Sequence, residues 1–369
     1  MKLNWDTITG PTVLINRTRA KQNIQTMQNK ATYANVALRH HFKTHQSATI
    51  GHWFGTPAQT PIAVSSLRMA QQFADAGWQD IHIAIPLNPR ELPALNSLAS
   101  RVRLTLTVEH EDTLAVLSKI NHSLQVMIEI DTGYGRTGMH WQQHERIQAL
   151  LAALQVQPNI KRVGLMVHSG HSYSAKGEAA IQAVHQESSG RLKELLDMID
   201  WQGKPLWVST GDTPTCSRMT SFPCANEIRP GNYVFYDLQQ KTIGACDWQH
   251  IALAMACPVI ARYPERNEVV VHGGAVHFGK DWVDTTKPDG SSERIFGQVM
   301  HRTEHGWSAP IVDAVVVGLS QEHGKIRLPA RMVRELKLGD LLVVVPPHSC
   351  LVMAAMGAEA SNFTCFDNE

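Results

Sequence analysis

LQVMIEIDTGYGRTG, residues 124–138, sets the reading of the whole chain. A nearly unbroken apolar run, Leu124–Ile130, stops at Asp131, turns through three glycines and leads into a stretch with helical spacing, His144–Leu154. A run this continuous suits a strand buried on both faces, as in a parallel sheet, better than a strand with one wet face. The pattern repeats on both sides. Val36–His41, Pro61–Ser65, Ile81–Ile85, Arg103–Val108, Arg162–His168, Pro205–Thr210 and Asn226–Arg229 read as further strands. Leu67–Ala76 and Ala179–Ile199 read as helices between them, with Ser66 placed to cap the first and Gly77 where a helix-terminating glycine belongs.

Eight strand–helix units in a row predict an α/β fold with a parallel sheet, and eight is the count of a closed (β/α)8 TIM-type barrel. A doubly wound open sheet is the competing arrangement. The texture changes after about residue 245. Ile251–Ile260, Glu268–His272, Ala314–Leu319 and Leu341–Val345 are β-like and punctuated by Gly and Pro, with one short helix expected near Pro329–Leu336. The expected organisation is a barrel over residues 1–245 followed by a C-terminal β-rich domain over 246–369.

The 369 residues are 43% hydrophobic, enough for two such cores. With 34 basic and 33 acidic residues the net charge is +1, which supplies no electrostatic reason to bind nucleic acid or an anionic membrane. No stretch resembles a signal peptide or a membrane span. Six cysteines are too few for a disulfide framework, and Cys216 and Cys224 lack zinc-ribbon spacing, so reduced thiols in a cytoplasmic protein are expected.

Barrel enzymes keep their chemistry at the C-terminal ends of the strands. The first strand ends in RHHFKTHQS, 39–47, where Lys43 stands among His40, His41 and His45. Burial beside cations would favour a neutral amine, the form that Schiff-base chemistry needs; an exposed loop lysine is the plain alternative. Arg136, in the turn after Asp131, offers a planar fork of donors for a phenolate or carboxylate. The sixth strand runs into VHSGHSY, where His168 or His171 would meet a bound ring. STGDTP, with Ser209, Thr210, Gly211, Asp212 and Thr213, and RPGNY, with Gly231, Asn232 and Tyr233, follow the seventh and eighth strands, where barrels hold phosphate. Near the C-terminus, PPHSC places His348 and Cys350 two residues apart, on one face if the backbone is extended. Imidazole plus thiolate is a zinc-type pair, and two protein ligands leave positions open for water and substrate; a chance His-x-Cys is the alternative.

Together these segments resemble the family of D-threonine aldolases and eukaryotic-type D-serine dehydratases, fold-type III enzymes of the alanine racemase fold. The resemblance spans nearly the whole chain, through HFKTH, EIDTGYGRTG, GHSY, STGDTP, EIRPGNYVFYD, GGAVHFGKD, LSQEHG and GDLLVVVPPHSC. It implies pyridoxal 5'-phosphate (PLP) on Lys43, with Arg136 toward the phenolic oxygen and His168 at the ring. The phosphate would lie against Ser209–Thr213 and Gly231–Tyr233, and Zn2+ or another divalent ion on His348 and Cys350. The implied activity is β-elimination from a small D-β-hydroxy-amino acid, giving a 2-oxo acid and ammonia, because aldolases of this family usually carry His-x-Asp where this chain has His-x-Cys. Retro-aldol cleavage to glycine and an aldehyde is the alternative; an amino-acid racemase or a non-catalytic PLP-binding protein are further ones. A homodimer is also implied. Two departures stand out: His40 where many relatives have proline, and His272 where many have aspartate.

Overall fold

The structure is a computed structural model and describes residues 3–202, 206–287, 290–357 and 359–367. Its contacts divide the chain into two units. One comprises Thr26–Lys43 and Ile50–Gly231; the other comprises Met1–Gln25, Thr44–Thr49 and Asn232–Glu369.

All eight expected strands form in the first unit, at Ala37–Leu38 with His40–His41, Ile62–Val64, Asp80–Pro86, Arg103–Val108, Leu124–Asp131, Ile160–Val167, Trp207–Thr210 and Glu227–Ile228. Pro205, at the start of the expected seventh strand, lies outside the described residues. Every neighbouring pair runs parallel. Arg39 splits the first strand in two. Ala37–Leu38 pairs with Glu227–Ile228, while His40–His41 pairs with Ile62–Val64. One strand thus bonds the last and the second, which closes the ring and decides for the barrel against the open sheet.

The surrounding helices form where the spacing predicts. Leu67–Asp75 is capped by Ser66, whose side chain accepts from Met69 N–H, and Gly77 follows at φ +98°. His144–Gln155 buries Ile147, Leu150, Leu151 and Leu154, one stripe of the helix. Phe42 packs among Phe54, Phe73 and Trp78, with ring centroids 5.0–5.5 Å away. Gly51 is required there, because a Cβ would stand 2.7 Å from the Trp78 ring. This cluster fixes the backbone immediately before Lys43, and emptying it with Phe42→Ala would cost about 3–5 kcal/mol.

The second unit is built on an eight-stranded, mostly antiparallel sheet. Leu253–Tyr263, Glu268–His272, Gly306–Leu319 and Leu341–Val345 carry the segments read as strands, and Ala330–Glu335 is the short helix. The N-terminal strand Thr12–Asn16 also belongs to this sheet, antiparallel to Leu253–Tyr263 and parallel to Phe363–Phe366. Two helices here were not anticipated, Ala275–Phe278 and Ser349–Met356. The second removes the condition of an extended backbone under which His348 and Cys350 would share a face. His348 is extended (φ −139°, ψ 101°) and precedes the helix, whereas Cys350 lies in its first turn. Pro346 and Pro347 end the preceding strand, and the Leu, Met and Ala residues that follow favour helix. No helix among the described residues is long and apolar enough to cross a membrane.

Candidate active site

In the barrel unit, Lys43 follows the buried pair His40–His41. Its backbone N–H faces Nδ1 of His41 at 3.4 Å. Burial, and then the positive charges of Lys43 and Arg229, hold His41 far below the usual imidazole range. Burial alone brings His40 down to about 3. Both rings are therefore neutral at physiological pH.

The Asp131 turn is assembled from its own backbone. Gly133 and Gly135 donate N–H to Asp131 Oδ1 at 2.8 and 3.1 Å, at φ +127° and +70° where a side chain would be strained. Arg136 leaves this turn with its side chain 49% exposed, 5.1 Å over the Tyr134 ring and 3.9 Å from Glu129. His168 Nδ1 donates to the Gly211 carbonyl at 3.1 Å, which leaves Nε2 as the accepting nitrogen. Burial, with Lys43 next, lowers His168 to about 3. Its alternative, His171, stacks on Tyr134 at 6.4 Å.

The five residues Ser209–Thr213 divide by role. Ser209 Oγ donates to Glu227 Oε1 and accepts from Arg229 Nε, both at 2.6 Å, inside the barrel. Asp212 caps the helix Thr213–Arg218, accepting from Thr215 N–H, Thr215 Oγ1 and Ser172 Oγ at 2.7–2.9 Å. Burial lifts its carboxyl to about 6. Both side chains are thus committed to the protein itself, and Thr213 N–H donates to Tyr173 Oη at 3.3 Å, so an anion would meet the backbone of Thr210 and Gly211. Gly211 is at φ +137°, and a Cβ there would stand 2.8 Å from Arg229 N. Behind the loop, Ser169, Ser188, Thr210, Gly211 and Asp212 border a cavity of about 20 Å³, room for one water but not for a phosphate. Gly231, at the end of this unit, is buried.

Three groups here escaped the sequence reading. Arg229 is fully buried and donates to Val167 O at 2.8 Å as well as to Ser209. Burial brings it down to about 10, yet it stays a cation and biases His41, His82 and His168 toward the neutral form. Arg39 bridges Glu227 at 3.0 Å and Asp80 at 2.7 Å. Glu129 faces the barrel interior; burial raises it, while Thr137 and Arg136 pull it back. The signal was present, since an ionisable residue inside an apolar strand needs a partner.

In the second unit His348 and Cys350 come together. Asp281 Oδ2 lies 2.7 Å from His348 Nδ1. Burial opposes charge on the ring, but the Cys350 sulfur and Asp281 outweigh it and raise His348 to about 11. Burial likewise opposes a thiolate, and His348 overcomes it, so Cys350 falls below its ordinary value. Thr44 Oγ1 is 3.3 Å and Asn232 Nδ2 is 3.5 Å from the sulfur. Asn232 also donates to Asp237 at 2.6 Å, and Asp237 accepts the Ser349 N–H at 3.0 Å. The Asn232 amide, expected on the cofactor, is thus engaged beside the thiol, and Tyr233 is wholly buried.

Both halves fit the groups they were expected to hold. With Nδ1 engaged by a carboxylate, His348 presents Nε2 toward the sulfur, the usual arrangement behind a metal-bound imidazole. Lys43 stands among neutral imidazoles near Arg229, surroundings suited to an anionic carbonyl cofactor.

Comparison with known proteins agrees with this geometry. Residues 15–239 match the alanine racemase N-terminal domain, and residues 252–358 match a putative serine dehydratase domain. D-threo-3-hydroxyaspartate dehydratase of a Delftia species is 27% identical over 95% of this chain and 93% of its own. Its solved structure aligns with a TM-score of 0.85 at 26% identity, over 97% of this chain and 96% of the other. A cysteine-to-alanine mutant of that enzyme, solved in the metal-free form, aligns with the same TM-score and identity over 95% and 93%. D-serine dehydratase of Dictyostelium discoideum is 27% identical over 93% of this chain and 91% of its own. The chain belongs to the alanine racemase N-terminal domain family, in the group whose barrel is followed by the serine dehydratase domain.

Proposed function

We propose that this protein is a PLP-dependent lyase that removes water from a small D-β-hydroxy-amino acid of the D-serine kind, with a divalent metal, zinc in the first instance, on His348 and Cys350. The observation that carries the reading is the imidazole–thiol pair itself, its thiol buried and its half-buried imidazole backed by Asp281. The names of the relatives supply the substrate class: D-serine and D-threo-3-hydroxyaspartate both carry a β-hydroxyl.

PLP, when bound, supplies an electron sink for charge developed at Cα. The amine of Lys43 holds the cofactor and then moves the Cα proton. The fork of Arg136 holds an anionic oxygen in a way that an ammonium would not reproduce. His168, neutral and oriented by Gly211, offers Nε2 to the bound ring system without adding a charge. The backbone of Thr210 and Gly211 would receive the phosphate, with Thr213 N–H held by Tyr173 beside it. Hydroxide is a poor leaving group, and a metal on His348 and Cys350 supplies Lewis acidity at that oxygen.

Product analysis tests this. Purified protein loaded with PLP and zinc is given D-serine and D-threonine. Pyruvate or 2-oxobutanoate with ammonia is the expected result. Glycine plus acetaldehyde from D-threonine would overturn the elimination in favour of retro-aldol cleavage.

A further inference from the structure

A second metal-type cluster lies in the sheet unit, apart from His348 and Cys350 in sequence. His272 ends the strand Glu268–His272, His277 lies in the helix Ala275–Phe278, and Glu322 lies in the turn before His323–Arg327. One ligand atom from each falls within 4.8 Å of the other two. Glu322 Oε2 stands 3.6 Å from His272 Nε2 and 3.7 Å from His277 Nε2, and the two rings meet edge to face at 5.4 Å.

These separations are too long for hydrogen bonds. They are close to what a shared ion requires, because bonds of ~2.0–2.1 Å to a tetrahedral ion place neighbouring ligand atoms about 3.3 Å apart. The three side chains surround a point instead of bonding to one another. Gly274 N–H donates to His277 Nδ1 at 3.1 Å, so in the ion-free protein the neutral ring carries its proton on Nε2, facing Glu322; an ion at Nε2 shifts that proton to Nδ1 and releases the Gly274 bond.

The scaffold beneath is rigid. Gly273 N–H donates to Glu322 O at 2.9 Å, Ala275 N–H to Ser320 O at 2.8 Å, and Val276 N–H to Gln321 O at 3.2 Å. Backbones approach so closely that a Cβ on Gly274 would stand 2.4 Å from Gln321 O. The side chains of His272 and Glu322 are 43% and 48% exposed, so an ion can enter and keep water in its remaining positions. We propose that His272, His277 and Glu322 form a second divalent-metal site, selective for imidazole-preferring ions such as zinc. Its ion clamps the Gly273–Asp281 segment to the turn at Glu322, and so steadies Asp281 behind His348.

The test counts zinc in the full-length, PLP-loaded protein carrying Cys350→Ala, by calorimetric titration with zinc alone and by elemental analysis after desalting. One zinc per chain is expected to remain, to disappear when His272→Ala and His277→Ala are added, and to bind at least about tenfold more weakly with Glu322→Gln. Circular dichroism of the shape-conserving Glu322→Gln variant separates lost ligation from lost folding. No zinc in the Cys350→Ala protein, or zinc that survives loss of both histidines, would overturn the site. Zinc lost with the two histidines but indifferent to Cys350→Ala would support it, while removing the ion from the proposed lyase reading.

Discussion

Histidines in the two units have opposite charge states for the same physical reason. In the barrel, burial dominates and the nearby charges are the cations of Lys43, Arg39 and Arg229, so His41 and His82 are driven far down and His168 to about 3. In the sheet unit, His348 is half-buried, but its neighbours are Asp281, Asp237 and the Cys350 sulfur, and it rises to about 11. Neighbours, not residue type, decide whether a buried imidazole is an acceptor or a cation. The barrel thereby gathers cations, which suit the proposed anionic cofactor, and the sheet unit an anionic nest, which suits the proposed metal.

The largest expected effect comes from breaking the anionic nest. Cys350→Ala removes one of two proposed metal ligands, and turnover should fall more than about 100-fold while PLP binding persists, because losing even an outer partner of a metal ligand costs about 10–100-fold. Full activity in this variant, or in chelator, would remove the metal from the account. Asp281→Asn keeps both ligands and sharpens the comparison: metal affinity should fall about 10–100-fold, with the barrel's cofactor spectrum unchanged.

The smallest effect is a pH dependence from the barrel side. His40 and His168 have folded values near 3, against about 6.5 in an unfolded chain. A folded value below the unfolded one gives stability that is present above pH 6.5 and lost as pH falls, since only the unfolded chain takes up the proton. His82, also depressed, donates Nε2–H to Thr107 Oγ1 at 2.9 Å. Each such ring should contribute about 1.4 kcal/mol of lost stability per pH unit between pH 6 and 4. Urea unfolding across this range should therefore show a shallower slope for His82→Gln than for the native chain. Equal slopes would mean that the barrel histidines are not held neutral.

Strand positions were legible because buried parallel strands read as continuous apolar runs, and all eight barrel strands lay where those runs predicted. The residues that tune the sites were harder to see. Arg229 and Glu227 sit within a strand-like run, but their partners Ser209 and Arg39 come from elsewhere in the barrel. Asp281 is 67 residues from His348, in a segment whose short helix has no long periodic pattern to announce it. The helix that begins after PPH is not read from the sequence, because the apolar run VVV before it draws the eye to a strand. Thr12–Asn16, read with the barrel, pairs across more than 230 residues with Leu253–Tyr263, a partnership that no local pattern encodes.

The account rests first on Lys43 as the anchor of the cofactor. Borohydride reduction of the PLP-loaded protein, followed by proteolysis and mass spectrometry, tests this directly. The pyridoxyl mass is expected on the peptide that contains Lys43 and nowhere else, with the visible band lost on reduction. A label on another lysine, or no covalent label in a protein that still binds PLP, would contradict the assignment and the lyase reading built on it.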